Sequence, residues 1–406
     1  MYTLNKADRL SSEGKFEEAL IWYDQAINLY PNCARVYSNK ADTLGSLGKT
    51  TEAILYYNKA ISLNPSYPQP YINKACVLIK RGDPHEALDC FDKVLSFAQN
   101  HAEALIGKGV ALQNLGKPQQ AILYYNKYIT LDPHNAFVYY TKGKALHDLG
   151  KHTEAMDCCD QAIRLNPNYV NAYHNKGLVL QAQGKYYESL DCFDKVISLD
   201  QNHLHVHHSK GNTLFYLGKW QEAILCYDTS LSLDPNCPKT YCNKGLALHH
   251  WGDNQQALGC FEKAIEINPN YSWAYTSQGI TLNALGKHQE AVISCDKVIS
   301  MDPNDAKAYY NKGKAVFGLG RYRDAVGLYD KAISLGYNYA SVYNDKGDAL
   351  NKLKMGAEAL WCYEKANSLG ENGRNQNAWM VWNRTQRVLA RIIRPSALML
   401  MIILVI

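Results

Sequence analysis

Small, apolar and charged side chains return along this chain with one spacing, 34 residues, and no insertion disturbs it. Numbering each repeat so that Gly14 stands at position 15, glycine recurs there every 34 residues through Gly320. Eleven repeats fit between Met1 and Gly373; the first lacks its first residue and the eleventh carries Lys354 in place of the glycine. Position 8 is Ala or Gly in every repeat, and position 20 is Ala in all but the one that has Ser189. Small side chains at fixed places in two helices let those helices approach closely. The pattern therefore predicts two helices per repeat, joined by a short link such as Leu47-Gly48-Lys49, where glycine supplies the positive φ that ends a helix. Proline at position 32 (Pro31, Pro65, Pro133, Pro167, Pro235, Pro269, Pro303) stops the second helix. Gln99, Gln201, Tyr337 and Glu371 replace it elsewhere, which predicts looser turns. Polar positions repeat as well. Lysine fills position 7 except at Gln278, and position 25 is acidic in most repeats, from Asp24 to Glu364. In an antiparallel pair turning near position 15 these two lie at one height, which predicts a ladder of ion pairs, each contributing roughly 0.5 kcal/mol if exposed.

With its period and its small, aromatic and proline positions, the chain resembles the tetratricopeptide repeat family. The resemblance covers about nine-tenths of the sequence. It implies an all-α fold, a right-handed superhelical solenoid of antiparallel helix pairs over residues 1–373, with positions 2, 5, 9 and 12 of the first helices lining a concave groove. Lysine at position 7, where the family usually places leucine, is a departure.

Charge narrows the partner. The net +5 comes from five arginines after Glu371; residues 1–371 hold 38 basic and 38 acidic residues, so nothing predicts nucleic acid along the array. An excess of tyrosine, 30 against 8 Phe, suggests partly buried rings whose hydroxyls reach water or a partner. Cys90, Cys158, Cys192, Cys226, Cys260 and Cys362 all fall at position 23, roughly 10 Å apart in stacked repeats, too far for disulfides. They read as small apolar residues, and no CxxC pair suggests zinc. His203, His205, His207 and His208 cluster at the start of repeat 7, with His205 and His208 on the groove side between His174 and His249. No carboxylate stands at a groove position of repeats 6 to 8, so the favoured reading is a polar and aromatic contact surface titrating near pH 6, with a metal site as the alternative.

Candidate contacts for a partner follow from the groove positions. Asparagine recurs at position 6 (Asn5, Asn39, Asn73, Asn175, Asn243, Asn311), interrupted by Gly107, Thr141, Ser209 and Ser277 and ending in Asp345. Such a ladder can bond an extended peptide backbone, as a similar ladder does in the repeat arm of the protein O-linked N-acetylglucosamine transferases; equally, the amides can bond neighbouring helices. Repeats 3 to 5 add Ile72, Ile79, Ile106, Val110, Phe137 and Tyr140, an apolar stretch in which Ile72 and Phe137 are expected to be exposed. Lys144, Lys307 and Lys314 add positive points. These residues predict a docking site for an amphipathic or extended segment in repeats 3 to 8. The carboxylate clamp of chaperone-binding members is absent: no repeat has Lys at position 5 or Arg at position 6.

After Gly373 the period ends. Residues 374–395 predict an amphipathic capping helix, and residues 396–406 form an apolar string too short to span a bilayer, for which ~20 apolar residues are needed. Shallow membrane contact by that string is conceivable. No signal-peptide pattern follows Met1, which makes a cytoplasmic location the default expectation. No catalytic motif, cofactor site or metal site is predicted, and the functional expectation is a scaffold binding a peptide or partner-protein segment. The alternatives are a regulatory or substrate-recruiting arm of an enzyme complex and a peripheral membrane assembly factor.

Overall fold

The computed structural model of the chain describes residues 2–369; the predicted capping helix 374–395 and the apolar end 396–406 lie outside the described residues. Every described element is an α-helix, twenty-two in all, two per repeat. Two compact bodies divide the chain, one from Met1 to His203 holding repeats 1 to 6 and one beginning at Leu204 with repeat 7. Within each body the two helices of a repeat pack on each other, and each second helix packs on the first helix of the following repeat.

The link between helices forms as the glycine pattern requires. In repeat 2 the first helix (Ala34–Ser46) ends at Leu47, Gly48 takes φ +74°, and the Lys49 amide donates back to Leu44 O at 2.9 Å. Such a bond closes a left-handed cap and satisfies a carbonyl that the helix end leaves open. Lys354 keeps the same geometry at φ +65°, where its Cβ is strained. The proline-free turns divide into two kinds. After Phe97 the Gln99 turn bonds like the proline turn after Leu63, Ala98 N–H to Val94 O at 2.8 Å and His101 N–H to Ala98 O at 3.0 Å, so it is not loosened. In repeat 10 the second helix (Tyr322–Ser334) stops early, Gly336 adopts φ +96°, and the Tyr337 amide donates to Ala332 O at 3.0 Å. Repeat 7 also departs, its first helix starting at Val206, two residues late.

Between the helices lies one aromatic or Cys per repeat at position 24. Tyr23, Tyr57, Phe91, Tyr125, Phe193, Tyr227, Phe261, Tyr329 and Tyr363 are the largest fully buried side chains, and the alanines at position 20 meet them with no exposed surface. These tyrosines are therefore core residues, contrary to the half-exposed rings that composition suggested. Size is matched across the repeat. A Cβ on Gly245 would stand 2.5 Å from the Phe261 ring, and one on Gly211 2.6 Å from the Tyr227 ring. In repeat 9, where position 24 is Cys295, the nearest atom to a Cβ on Gly279 is the Cys295 sulfur at 3.3 Å.

The lysine ladder forms, but between repeats. Lys40 reaches Asp24 at 2.5 Å, Lys176 Asp160 at 2.7 Å, Lys244 Asp228 at 2.5 Å, Lys312 Asp296 at 2.5 Å and Lys346 Asp330 at 2.6 Å, and Lys108 pairs with Asp92. Each carboxylate belongs to the preceding repeat. Equal height within one helix pair suggested the wrong partner, because the stacked second helix of the previous repeat stands on the same side. The Lys40 stem is buried while Asp24 is largely exposed. Burial alone would lower the Lys40 ammonium, yet bonds to Asp24 and the Tyr56 hydroxyl hold it above its ordinary value. All twelve cysteines are free thiols. Burial raises those of Cys192 and Cys260 to about 11 and those of Cys159, Cys242 and Cys295 to about 12, which leaves little thiolate at neutral pH.

Candidate functional site

The asparagines of position 6 are struts between repeats. Asp8, at position 9 of repeat 1, accepts on Oδ1 from the Tyr23 hydroxyl at 2.8 Å and from Asn39 Nδ2 at 2.8 Å. Asp42 takes Tyr57 at 2.6 Å and Asn73 at 2.7 Å, and Asn212 takes Tyr227 at 2.9 Å and Asn243 at 2.8 Å. Each node ties two helices of one repeat to the first helix of the next. Burial raises the Asp42 carboxyl above its usual value even though both donors favour the charged form. Asn39, Asn73 and Asn243 thus each spend an N–H on a neighbouring repeat, the structural one of the two readings that the sequence leaves open for this ladder. Asn175 is turned inward too: with Cys159 at position 24, its side chain sinks to 4% exposure and donates to the Cys159 sulfur at 3.2 Å.

Asn311 is the exception. Position 9 of the preceding repeat is Ile280, which accepts nothing, and Asn311 Nδ2 is buried without an acceptor. The Asn311 backbone carbonyl, by contrast, accepts from Asn283 Nδ2 at 3.2 Å.

The apolar stretch of repeats 3 to 5 is mostly interior. Ile72 is 4% exposed and sits in a core cluster with Tyr71, Leu78 and Phe91, so its expected exposure is wrong; Ile106 packs half-buried on the neighbouring core. A helix here is buried on more than one face because the next repeat covers part of the groove side. Phe137 stays exposed at 43%, its ring 6.4 Å from Tyr140, which in turn meets Tyr169 at 5.5 Å. Lys144 is exposed one helical turn further on. His174 packs at a tilt against Phe193 at 5.7 Å and His203 at 5.0 Å.

In the second body His208 packs on Tyr227 at 5.9 Å, and its Nδ1 lies 2.9 Å from the Thr240 hydroxyl. Burial, reinforced by Lys239 and His205, lowers its pKa to about 4, so this ring is neutral near pH 6 and does not titrate where the sequence suggested. Among the described residues no group of three His, Cys, Asp or Glu side chains comes together to hold a metal.

A concave opening lies on the first helices of repeats 7 to 9. Its cavity, about 340 Å³, is lined by Asn212, Phe215 and Tyr216, by Lys239, Asn243 and Leu246, and by Trp273, with Tyr227 beneath. Tyr216 is 62% and Trp273 42% exposed. Lys307 lies over the Trp273 ring at 4.8 Å, and Lys314, exposed, lies 5.7 Å from the Tyr310 ring. Of the candidates read from the sequence only Asn243 lines this cavity, and there it carries an internal bond. Phe215, Tyr216, Lys239, Leu246 and Trp273 were missed. Their signal was deviation: aromatic rings at positions 2, 12 and 13, where most repeats carry small or polar residues.

Comparison with known proteins agrees with the repeat register. Models described as tetratricopeptide repeat match residues 4–33, 34–67, 56–89, 102–135, 170–203, 238–271, 260–293 and 310–367, and a further TPR repeat model matches 143–184 and 211–250. Together they cover well over half of the chain. No curated protein matches it. Among solved structures, a tetratricopeptide repeat protein from Parabacteroides merdae is 21% identical, with 62% of this chain and 98% of that chain covered and a TM-score of 0.50. The APC/C hetero-tetramer Cut9–Hcn1 contains a chain 14% identical, with coverages of 94% and 86% and a TM-score of 0.54. At these identities the likeness speaks for the fold. No described helix is long and apolar enough to cross a membrane.

Proposed function

The chain belongs to the tetratricopeptide repeat family, and from that premise we propose that it is a protein-interaction scaffold which holds a partner segment on the first-helix face of its second body. The observation that carries this reading is the cavity between Phe215, Leu246 and Trp273. Tyr216 and Trp273 stay exposed there, and exposed aromatics in a concave site are the usual anchors of binding energy. A chain of like fold is part of the Cut9–Hcn1 hetero-tetramer, which agrees with a role inside an assembly. Phe137 and Tyr140 in the first body form a second, shallower contact patch, with Lys144 beside it.

Site-directed photo-crosslinking tests the reading. A photoreactive residue replacing Tyr216 is expected to capture a partner that one replacing Tyr187, equally exposed on a second helix, does not. Adding Trp273→Ala should abolish that capture. Equal capture from both positions, or capture that survives Trp273→Ala, refutes the proposed site.

A further inference from the structure

Repeats 7 to 10 carry an excess of hydrogen-bond donors and positive charge on one face. Two lysines at position 7 in these repeats have a carboxylate: Lys244 holds Asp228 and Lys312 holds Asp296. Lys239, Lys307 and Lys314 have none within ion-pair distance among the described residues. Asn311, about one turn from each of Lys307 and Lys314 on the same helix, holds a buried amide with no acceptor. A buried donor left idle costs about 1–3 kcal/mol, so a ligand that supplies an acceptor recovers that cost. The acidic side chain next along this face, Asp345, is already bonded by the Tyr310 hydroxyl at 2.8 Å.

We propose that this face takes an acidic segment of a partner protein, with one apolar side chain seated against Phe215, Leu246 and Trp273 and its carboxylates on Lys239, Lys307 and Lys314. Asn311 donates to the same segment, filling the place that Asp8, Asp42 and Asn212 fill in other repeats. The inference rests on the scaffold reading and adds the chemistry of the occupant. Charge favours an outside partner over this chain's own end, since no acidic residue follows Glu371 and five arginines do. It sets the occupant apart from a neutral peptide, because Lys239, Lys307 and Lys314 form no ion pair among the described residues, the Asp345 carboxylate acting on Lys314 only from a distance.

The test is selection of short random peptides displayed on phage, using the full-length chain and three variants: Lys239→Glu with Lys307→Glu and Lys314→Glu combined, Trp273→Ala, and Asn311→Ala. Enriched peptides should carry excess Asp and Glu beside an aromatic or branched aliphatic residue. As synthetic peptides in fluorescence anisotropy they should lose at least about tenfold in affinity on the charge-reversed variant and on Trp273→Ala, and severalfold on Asn311→Ala. Enriched peptides without acidic bias, but lost on Trp273→Ala, overturn this inference and leave the scaffold reading standing. Peptides indifferent to every variant, or no enrichment at all, overturn both. Tighter binding of a single-stranded oligothymidylate than of any acidic peptide, lost on charge reversal, assigns the face to nucleic acid and overturns both as well. Circular dichroism of each variant guards against loss of fold.

Discussion

Asn73 and Asn311 occupy the same position of the repeat, and the structure predicts opposite outcomes when each becomes Ala. Asn73 Nδ2 donates to the Asp42 carboxylate at 2.7 Å, beside the Tyr57 hydroxyl at 2.6 Å. A hydrogen bond to a charged acceptor contributes about 1.5–3 kcal/mol. Both partners are only partly buried, which places Asn73→Ala near the lower end, about 1.5 kcal/mol. Asn311→Ala breaks no side-chain bond and removes a buried amide that has no acceptor, so it should be neutral or stabilise by up to about 1 kcal/mol. Urea unfolding followed by far-ultraviolet circular dichroism measures both. A cycle of Asp42→Ala, Asn73→Ala and the double variant isolates the coupling, expected at about 1 kcal/mol. If Asn73→Ala left the unfolding midpoint in place while weakening partner capture, the strut assignment would be wrong and the peptide ladder right. If Asn311→Ala destabilised as much as Asn73→Ala, its amide must have an acceptor in solution and the excess-donor argument fails.

The other expectations concern packing, backbone and pH. Gly245→Ala drives a Cβ into the Phe261 ring and should cost about 1–2 kcal/mol after the helix-propensity gain, whereas Gly279→Ala faces only the Cys295 sulfur and should be close to neutral; equal effects in unfolding experiments would refute the size matching. Lys354→Gly relieves the positive φ and should stabilise by about 0.5–1 kcal/mol, read as a higher urea midpoint; a lower midpoint refutes the strain. His208 is harder to protonate folded than unfolded, so the stability it contributes is complete above its unfolded pKa of ~6.5 and is lost as pH falls toward about 4. Discounted for its partial exposure, that loss is at most about 2–3 kcal/mol. His208→Gln should flatten the acid side of the stability curve, and an unchanged slope speaks against the assignment.

The fold was readable because its determinants are local and repeated. Gly48 and Gly82 specify left-handed caps whatever surrounds them, and small residues at positions 8 and 20 specify close helices. What the sequence hid were relations between repeats. Ile72 looked exposed because a groove position was read on an isolated helix, while the neighbouring repeat covers it. Lys40 was matched to its own repeat because height along a helix pair can be read from the sequence and the offset of stacking cannot. The pKa of His208 depends on burial against Tyr227 and on the Lys239 ammonium, neither visible from the spacing of histidines.

One relation between repeats was written in the sequence without being read. Positions 9, 24 and the next repeat's 6 vary together: Asp8, Tyr23 and Asn39; Asp42, Tyr57 and Asn73; Asn212, Tyr227 and Asn243. In three sets without that acceptor the ring is phenylalanine and the asparagine is gone: Cys76, Phe91 and Gly107; Leu178, Phe193 and Ser209; Leu246, Phe261 and Ser277. Phenylalanine needs no acceptor, and a Cβ on Gly107 would collide with the Phe91 ring, so each set is closed physically as well as statistically. Repeats 5 and 9 keep the asparagine without acceptor or ring: after Lys144 and Cys159, Asn175 bonds the Cys159 sulfur at 3.2 Å. Ile280 and Cys295 drop the acceptor and the ring, yet Asn311 keeps the donor. Asn175 finds its acceptor inside the fold, whereas the buried amide nitrogen of Asn311 has none. On the helix that carries Lys307 and Lys314, that idle donor is the place where the proposed partner segment would supply an acceptor, so it is the departures from the repeat, more than the repeat itself, that the proposed site is built on.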